Sequence, residues 1–193
     1  MEARELRKMS VEEYIALDRS SEERWEYAYG EAFAMAGASR RHNAIVMNIT
    51  LALGAALRGK PCFPLGGEQK VETTATRAFH YPDITIVCGK PRIGATDDHA
   101  ITNPTVLIEV ASPSTSDYDR GAKFDHYATI PDLQEFVAVF TETQRIEHRK
   151  RTSDGRWVLT HLVGGELVLE SCGVTLRFED VYADLERVEP APE

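Results

Sequence analysis

Two acidic residues stand in this sequence where acids are out of place. The run Val106-Leu107-Ile108-Glu109-Val110 is the most apolar short segment of the chain. Its side chains alternate, with Val106, Ile108 and Val110 on one face and Leu107 and Glu109 on the other. Such a run belongs to the middle of a sheet covered on both sides. A carboxylate there is costly unless it meets a cation, a hydrogen-bond network or a raised pKa. Asp83 poses the same question at the head of a second apolar strand, Asp83-Ile84-Thr85-Ile86-Val87, introduced by Pro82. At facing strand positions, two such carboxylates can share a hard divalent cation such as Mg²⁺, which prefers oxygen ligands and keeps several waters. A plainer explanation exists for Asp83, because Pro-Asp before a strand is a frequent turn.

The elements that must position these acids follow from capping and periodicity. Ser10-Val11-Glu12-Glu13 has the form of a capping box and starts a short helix through Tyr14, Ile15 and Leu17. Trp25, Tyr27 and Tyr29 alternate with smaller or charged residues, and Gly30-Glu31 turns the chain into a second strand, which predicts a hairpin. Ser39 caps a longer helix whose Ile45, Val46, Ile49, Leu53 and Leu57 recur every three or four residues, and Gly59 and Pro61 mark its end. Strands are expected at 63–65 and 69–73, a loop over 89–104, and a helix over 117–130 that Pro131 stops. After a buried-type strand at 135–140, the remainder reads as a β meander through 145–150, 157–162, 167–169 and 174–178, with a last helical turn over 180–185. The expected fold is α/β (α+β), a mixed β-sheet flanked by helices. Residues 10–186 form one domain in this reading, between tails at 1–9 and 187–193.

Composition limits the function classes. The chain has 193 residues, 42% of them hydrophobic and 27% charged, as a soluble globular protein does. No apolar run approaches the roughly 18 residues of a membrane span. The first residues alternate charges instead of forming a secretory signal, so a cytoplasmic location and no membrane partner are expected. Cys62, Cys88 and Cys172 lack CxxC spacing, and reduced, mostly buried thiols are the expectation. The six histidines show no i, i+4 pair, which sets a zinc hydrolase aside. A net charge of −9 argues against a nucleic-acid-coating role, so any nucleic-acid contact needs a local basic surface. The segment 145–156, with Arg145, His148, Arg149, Lys150, Arg151 and Arg156, offers one; the competing reading is an edge hairpin kept soluble by its charge.

The order of these residues resembles a known family. Pro82-Asp83, then Val106 to Val110 followed by Ala111-Ser112-Pro113-Ser114-Thr115, then Asp119, Lys123 and Tyr127, are similar to the Uma-type restriction endonuclease family of the PD-(D/E)XK nuclease superfamily (restriction endonuclease-like). Trp25-Glu26, Gly30-Glu31, His42, Pro131 and Glu135-Phe136 extend the resemblance over roughly residues 10–140. The superfamily's lysine two residues after the second acid is Ala111 here, a vacancy the family shares, and Lys123 is the replacement the resemblance implies. The family's Asp before Gly30 is Tyr29, and its Trp-Leu-Val-Asp run is Phe136-Val137-Ala138-Val139.

The resemblance implies a Mg²⁺- or Mn²⁺-dependent endodeoxyribonuclease, a hydrolase whose cation polarises the phosphate and lowers the pKa of an attacking water. Asp83 and Glu109 are its implied ligands, with Glu26 as a third acid. Lys123 stabilises charge, and His42 and Arg120 are the candidate phosphate contacts. The implied partner is nucleic acid, DNA in the first instance, and a homo-oligomer stays open. Two alternatives remain: Lys123 pairing with Asp119 one helical turn earlier, and an inert nuclease fold serving as a binding or interaction module.

Overall fold

Residues 6–35, 37–111 and 119–188 are described by the computed structural model of the protein. Leu6–Lys8, placed above in the N-terminal tail, forms strand β1. Helix α1 (Val11–Ser20) has the reciprocal cap its sequence encodes: Glu13 N–H donates to Ser10 Oγ, and Ser10 N–H donates to the Glu13 carboxylate. Strands β2 (Trp25–Ala28) and β3 (Glu31–Ala34) form the expected hairpin around Tyr29 and Gly30, both at positive φ. Helix α2 (Arg40–Leu57) is capped by Ser39 and buries Ile45, Ile49, Leu53 and Leu57.

Strands β4 (Cys62–Gly66), β5 (Lys70–Thr73), β6 (Ala78–His80) and β7 (Ile84–Cys88) follow. The expected loop over 89–104 contains a two-residue strand, β8 (Ala100–Ile101), and leads into β9 (Val106–Ala111). Ser112 to Thr115 lie outside the described residues. Beyond them a π-helical turn, Asp119–Lys123, runs directly into α3 (Phe124–Tyr127). The C-terminal part comprises β10 (Glu135–Phe140), β11 (Arg145–Arg151), β12 (Trp157–Leu162), β13 (Glu166–Leu169), β14 (Val174–Arg177), α4 (Phe178–Val181) and a 3₁₀ turn, Leu185–Arg187.

The central sheet has the order β12-β11-β10-β9-β7-β4 and is mixed: β9 and β10 run parallel, their connection carrying α3, and the other neighbours pair antiparallel. A second sheet has the order β1-β3-β2-β6-β5-β8, and β13 and β14 form a separate ribbon. The C-terminal meander therefore divides, its first two strands widening the central sheet and its last two packing over it.

Alternation along β9 sorts the core as its sequence requires. Val106, Ile108 and Val110 pack with α2, β13, β14 and α4 on one face of the central sheet. Leu107 and Ala111 pack with Tyr127, Phe136 and Leu133 on the other. A third cluster joins α1 to the second sheet through Tyr14, Trp25, Tyr27 and Phe79. Burying these apolar surfaces is the main source of stability.

One expectation is corrected by this arrangement. Cys62 and Cys88 face each other across the β4–β7 ladder and are joined by a disulfide; only Cys172 is a buried thiol, which burial and then the Glu135 charge push up to about 11. The β11–β12 hairpin does stand at the edge of the central sheet, with β12 outermost. Its arginines lie over aromatic rings, with Arg145 4.4 Å from the Phe140 centroid, Arg149 4.5 Å from Phe124 and Arg151 4.7 Å from Trp157. These guanidinium groups are thus engaged within the fold, and Arg156 is the well-exposed cation of the hairpin.

Candidate active site

Glu26, Asp83, Glu109 and Lys123 meet where the second sheet packs on the central one. On β2, Trp25 and Tyr27 face α1, so alternation turns Glu26 the other way, where it is 1% exposed. On β9, Glu109 shares the face of Leu107 and Ala111 and is 4% exposed. The β7–β9 ladder pairs Ile84 with Ile108, and one further step of that register sets Asp83 opposite Glu109. Asp83 Oδ2 accepts the Val110 N–H at 2.7 Å, which fixes the carboxylate at the mouth of the strand pair. His42, in the first turn of α2, brings Nε2 to 3.1 Å from Asp83 Oδ1.

Lys123 supplies the cation of the group. Its Nζ lies 2.8 Å from Glu26 Oε1 and 3.5 Å from Glu109 Oε1, and the residue is buried. Tyr127, one helical turn on, donates its hydroxyl to Glu109 Oε1 at 2.8 Å. The Tyr81 N–H donates to Glu26 Oε1 at 3.2 Å. The lysine is therefore a buried partner of two acids from different sheets. Asp119 and Arg120 contribute main chain to the π-helical turn, and their side chains lie outside the described residues.

Sequence reasoning named the acids, Lys123 and His42, and it assigned no role to Tyr127 although that residue is among those that carry the family resemblance. The Val110 and Tyr81 N–H groups carried no signal, because a backbone donor is supplied by topology and not by residue type.

In these contacts the Lys123 ammonium meets two carboxylates, Glu26 and Glu109, and the strand register sets a third acid, Asp83, opposite Glu109. That surplus of negative charge, with oxygen donors throughout, suits a hard divalent cation beside Asp83 and Glu109. Glu26 is taken up by Lys123 and the Tyr81 N–H. Among the described residues no three His, Cys, Asp or Glu side chains form a ready metal cage.

Two further clusters support the site. His126 lies beside it with Nδ1 2.8 Å from Thr76 Oγ1, and burial pushes its imidazole below the ordinary histidine range. Behind Glu26, Lys70 Nζ is 2.6 Å from both Asp18 Oδ2 and Asp97 Oδ2, and Tyr81 donates its hydroxyl to Asp18. Tyr81 thus joins this buried ionic group to Glu26 through its own backbone N–H.

Comparison with known proteins identifies the family and the fold. The chain is 32% identical over 179 residues to "Uncharacterized protein slr1290" of Synechocystis sp. strain PCC 6803, covering 92% of this chain and 93% of that one. It is 28% identical over 162 residues to "Uncharacterized protein sll1609" of the same organism, covering 84% and 92%. A crystal structure titled as a putative nuclease belonging to DUF820, from Anabaena variabilis, shares the fold with a TM-score of 0.75 at 14% identity, over 92% of this chain and 99% of that one. The profile of the family described as "Uma2: Putative restriction endonuclease" matches residues 11–179. The chain belongs to the Uma2 family.

Proposed function

We propose that the protein hydrolyses phosphodiester bonds of nucleic acid, DNA foremost, with Mg²⁺ or Mn²⁺ held by Asp83 and Glu109. The observation that carries this reading is the position of Lys123. The superfamily places a lysine on the strand two residues after the second acid; here that residue is Ala111, and a lysine from the following helix reaches Glu109 instead. Bound there, the cation supplies Lewis-acid polarisation of the phosphate and a more acidic water.

The protein's own groups do the rest. Val110 N–H and His42 hold Asp83 in one orientation, and Tyr127 does the same for Glu109. Lys123 offers a desolvated positive charge to the phosphate oxygen on which charge develops. Glu26 keeps that lysine in place, and it is the acid that would serve as a third ligand if Lys123 were displaced from it. His42 and Arg120 are the candidates for phosphate contacts. The reading takes residues 10–186 as one domain in the cytoplasm, where the Cys62–Cys88 pair would be open to reduction.

The test is cleavage of supercoiled and single-stranded DNA with Mn²⁺ by the wild type, Lys123→Ala and Lys123→Arg at matched purity. Cleavage by the wild type and its loss in Lys123→Ala support the reading. Equal cleavage by wild type and Lys123→Ala removes the role of Lys123. No cleavage by any of the three places the inert binding module ahead.

A further inference from the structure

Two residues with left-handed backbone, neither of them glycine, line one groove beside the site. Tyr29 (φ 55°) opens the two-residue turn between β2 and β3, and Arg77 (φ 52°) ends the turn between β5 and β6. Left-handed geometry suits Gly, Asn and Asp and strains bulkier residues. The turn position of Tyr29 is one those three types favour, so turn chemistry does not account for a tyrosine there. Packing accounts for little of it, because Tyr29 is 70% exposed. With Ser10, Tyr27 and Thr76 the two residues border a groove of about 360 Å³. Strain retained at an exposed position points to a use for the side chain.

The ring of Tyr29 does not stand alone. His126 lies against it with ring centroids 4.6 Å apart, and His126 is buried, with no hydrogen-bond partner for Nε2 among the described residues. From His126 the rings continue inward, to His80 at 5.4 Å and from His80 to Tyr127 at 5.2 Å, and Tyr127 hydrogen-bonds Glu109. A continuous aromatic path thus joins the groove to the acids.

We propose that Tyr29, backed by His126 and flanked by Arg77, is a stacking platform for an unpaired base of the strand whose phosphodiester lies at Asp83 and Glu109. The inference rests on the nuclease reading above and adds a substrate class, single-stranded or locally unpaired nucleic acid. An exposed ring accepts any base on its π-face, and a neighbouring guanidinium follows the backbone, the combination by which single strands are held without sequence preference. A base inside a duplex is already stacked on both faces and cannot use the ring without being extruded.

The experiment measures binding in EDTA, by fluorescence anisotropy, of a labelled single-stranded oligodeoxynucleotide and of the matching duplex. Cleavage of both with Mn²⁺ is measured in parallel. Tyr29→Asn places in the turn a residue suited to its backbone, so the variant folds. It is expected to weaken single-strand binding by about 5- to 150-fold, the range for losing one stacked base, with duplex binding nearly unchanged. Tyr29→Phe keeps the affinity. Arg77→Ala lowers the slope of log affinity against log salt by about one, whereas Tyr29→Asn leaves that slope as it was. A wild type that cleaves, with Tyr29→Asn binding single strands equally well, overturns the platform and leaves the nuclease reading standing. A wild type that neither binds nor cleaves overturns both. A wild type that binds without cleaving, and loses binding in Tyr29→Asn, supports the platform on an inert fold.

Discussion

The Lys123 ammonium stands 3.5 Å from the Glu109 carboxylate across a sequence separation of 14 residues, so a helix completes what the strand lacks. A lysine at position 111 would lie on the same face as Glu109; Ala111 leaves that space, and the turn before α3 delivers the charge. Because Lys123 is buried between Glu26 and Glu109, Lys123→Ala does more than remove a catalytic charge. It leaves two buried acids facing each other, at an expected cost of about 3–5 kcal/mol in the metal-free protein. Cleavage should fall by about 10²- to 10³-fold. Urea unfolding in EDTA and plasmid cleavage measure the two effects separately, and a variant as stable as wild type contradicts the ion-pair account. Lys123→Arg should recover much of the stability and little of the activity, since a planar fork does not replace a compact ammonium.

The pairing of Asp83 with Glu109 makes a prediction about metal. A cation that binds only the folded state raises stability by mass action, about 2.7 kcal/mol at a hundredfold excess over its dissociation constant. Mn²⁺ or Mg²⁺ should raise the melting temperature of the wild type, and much less that of Asp83→Ala or Glu109→Ala. Removing an acid can itself stabilise the metal-free protein, so the quantity to compare is the shift within each variant. Equal shifts in all three would take these carboxylates out of the site.

The acids were legible in the sequence for a reason that does not extend to their surroundings. A strand alternates strictly, so Glu109 among Val106, Leu107, Ile108 and Val110 had to face a covered surface, whereas Glu26 was named only through the family resemblance. Capping boxes and helical periods are local in the same way, and α1 and α2 fall where they were expected. Contacts between distant segments were not legible. The run of arginines at 145–151 looked like an exposed strip, because nothing local says that Phe124, Phe136 and Trp157 come to lie against it. Lys70, an ordinary lysine in the sequence, is buried because Asp18 and Asp97 approach it from different elements. Its burial and the Asp83–Glu109 juxtaposition both depend on chain topology.

The Cys62–Cys88 bridge predicts a redox-dependent stability. The two residues are 26 apart, and a cross-link closing a loop of that size stabilises by about 3 to 4 kcal/mol in the chain-entropy estimate. Oxidised protein denatured without reductant should show one reactive thiol, Cys172, and reduced protein three. Dithiothreitol should lower the melting temperature of the wild type and leave that of a Cys62→Ser, Cys88→Ser double variant unchanged. Three reactive thiols after full air oxidation would contradict the bridge.

The buried group of Lys70, Asp18 and Asp97 predicts how the protein responds to acid. Burial by itself would raise the Asp97 carboxyl, but hydrogen bonds from Lys70, Arg19 and the His99 N–H outweigh it and hold the group at about 2, against an ordinary 3.8. A carboxyl whose folded value is depressed binds fewer protons in the folded state than in the unfolded one. Its contribution is therefore present in full above the unfolded value and is lost as pH falls through the folded value, that is between about 4 and about 2. The size of this contribution is on the order of 2 kcal/mol. His126 adds a separate term with its own window: burial lowers its folded value, so stability begins to fall once pH drops below the unfolded histidine range near 6.5. Asp97→Asn should lower stability at neutral pH and flatten the pH dependence below about 4, while leaving the histidine step in place. Urea unfolding from pH 7 to 3 measures both steps. An Asp97→Asn profile parallel to wild type below pH 4 would show that other carboxylates carry the acid response, and Lys70 would then owe its place to Asp18 alone.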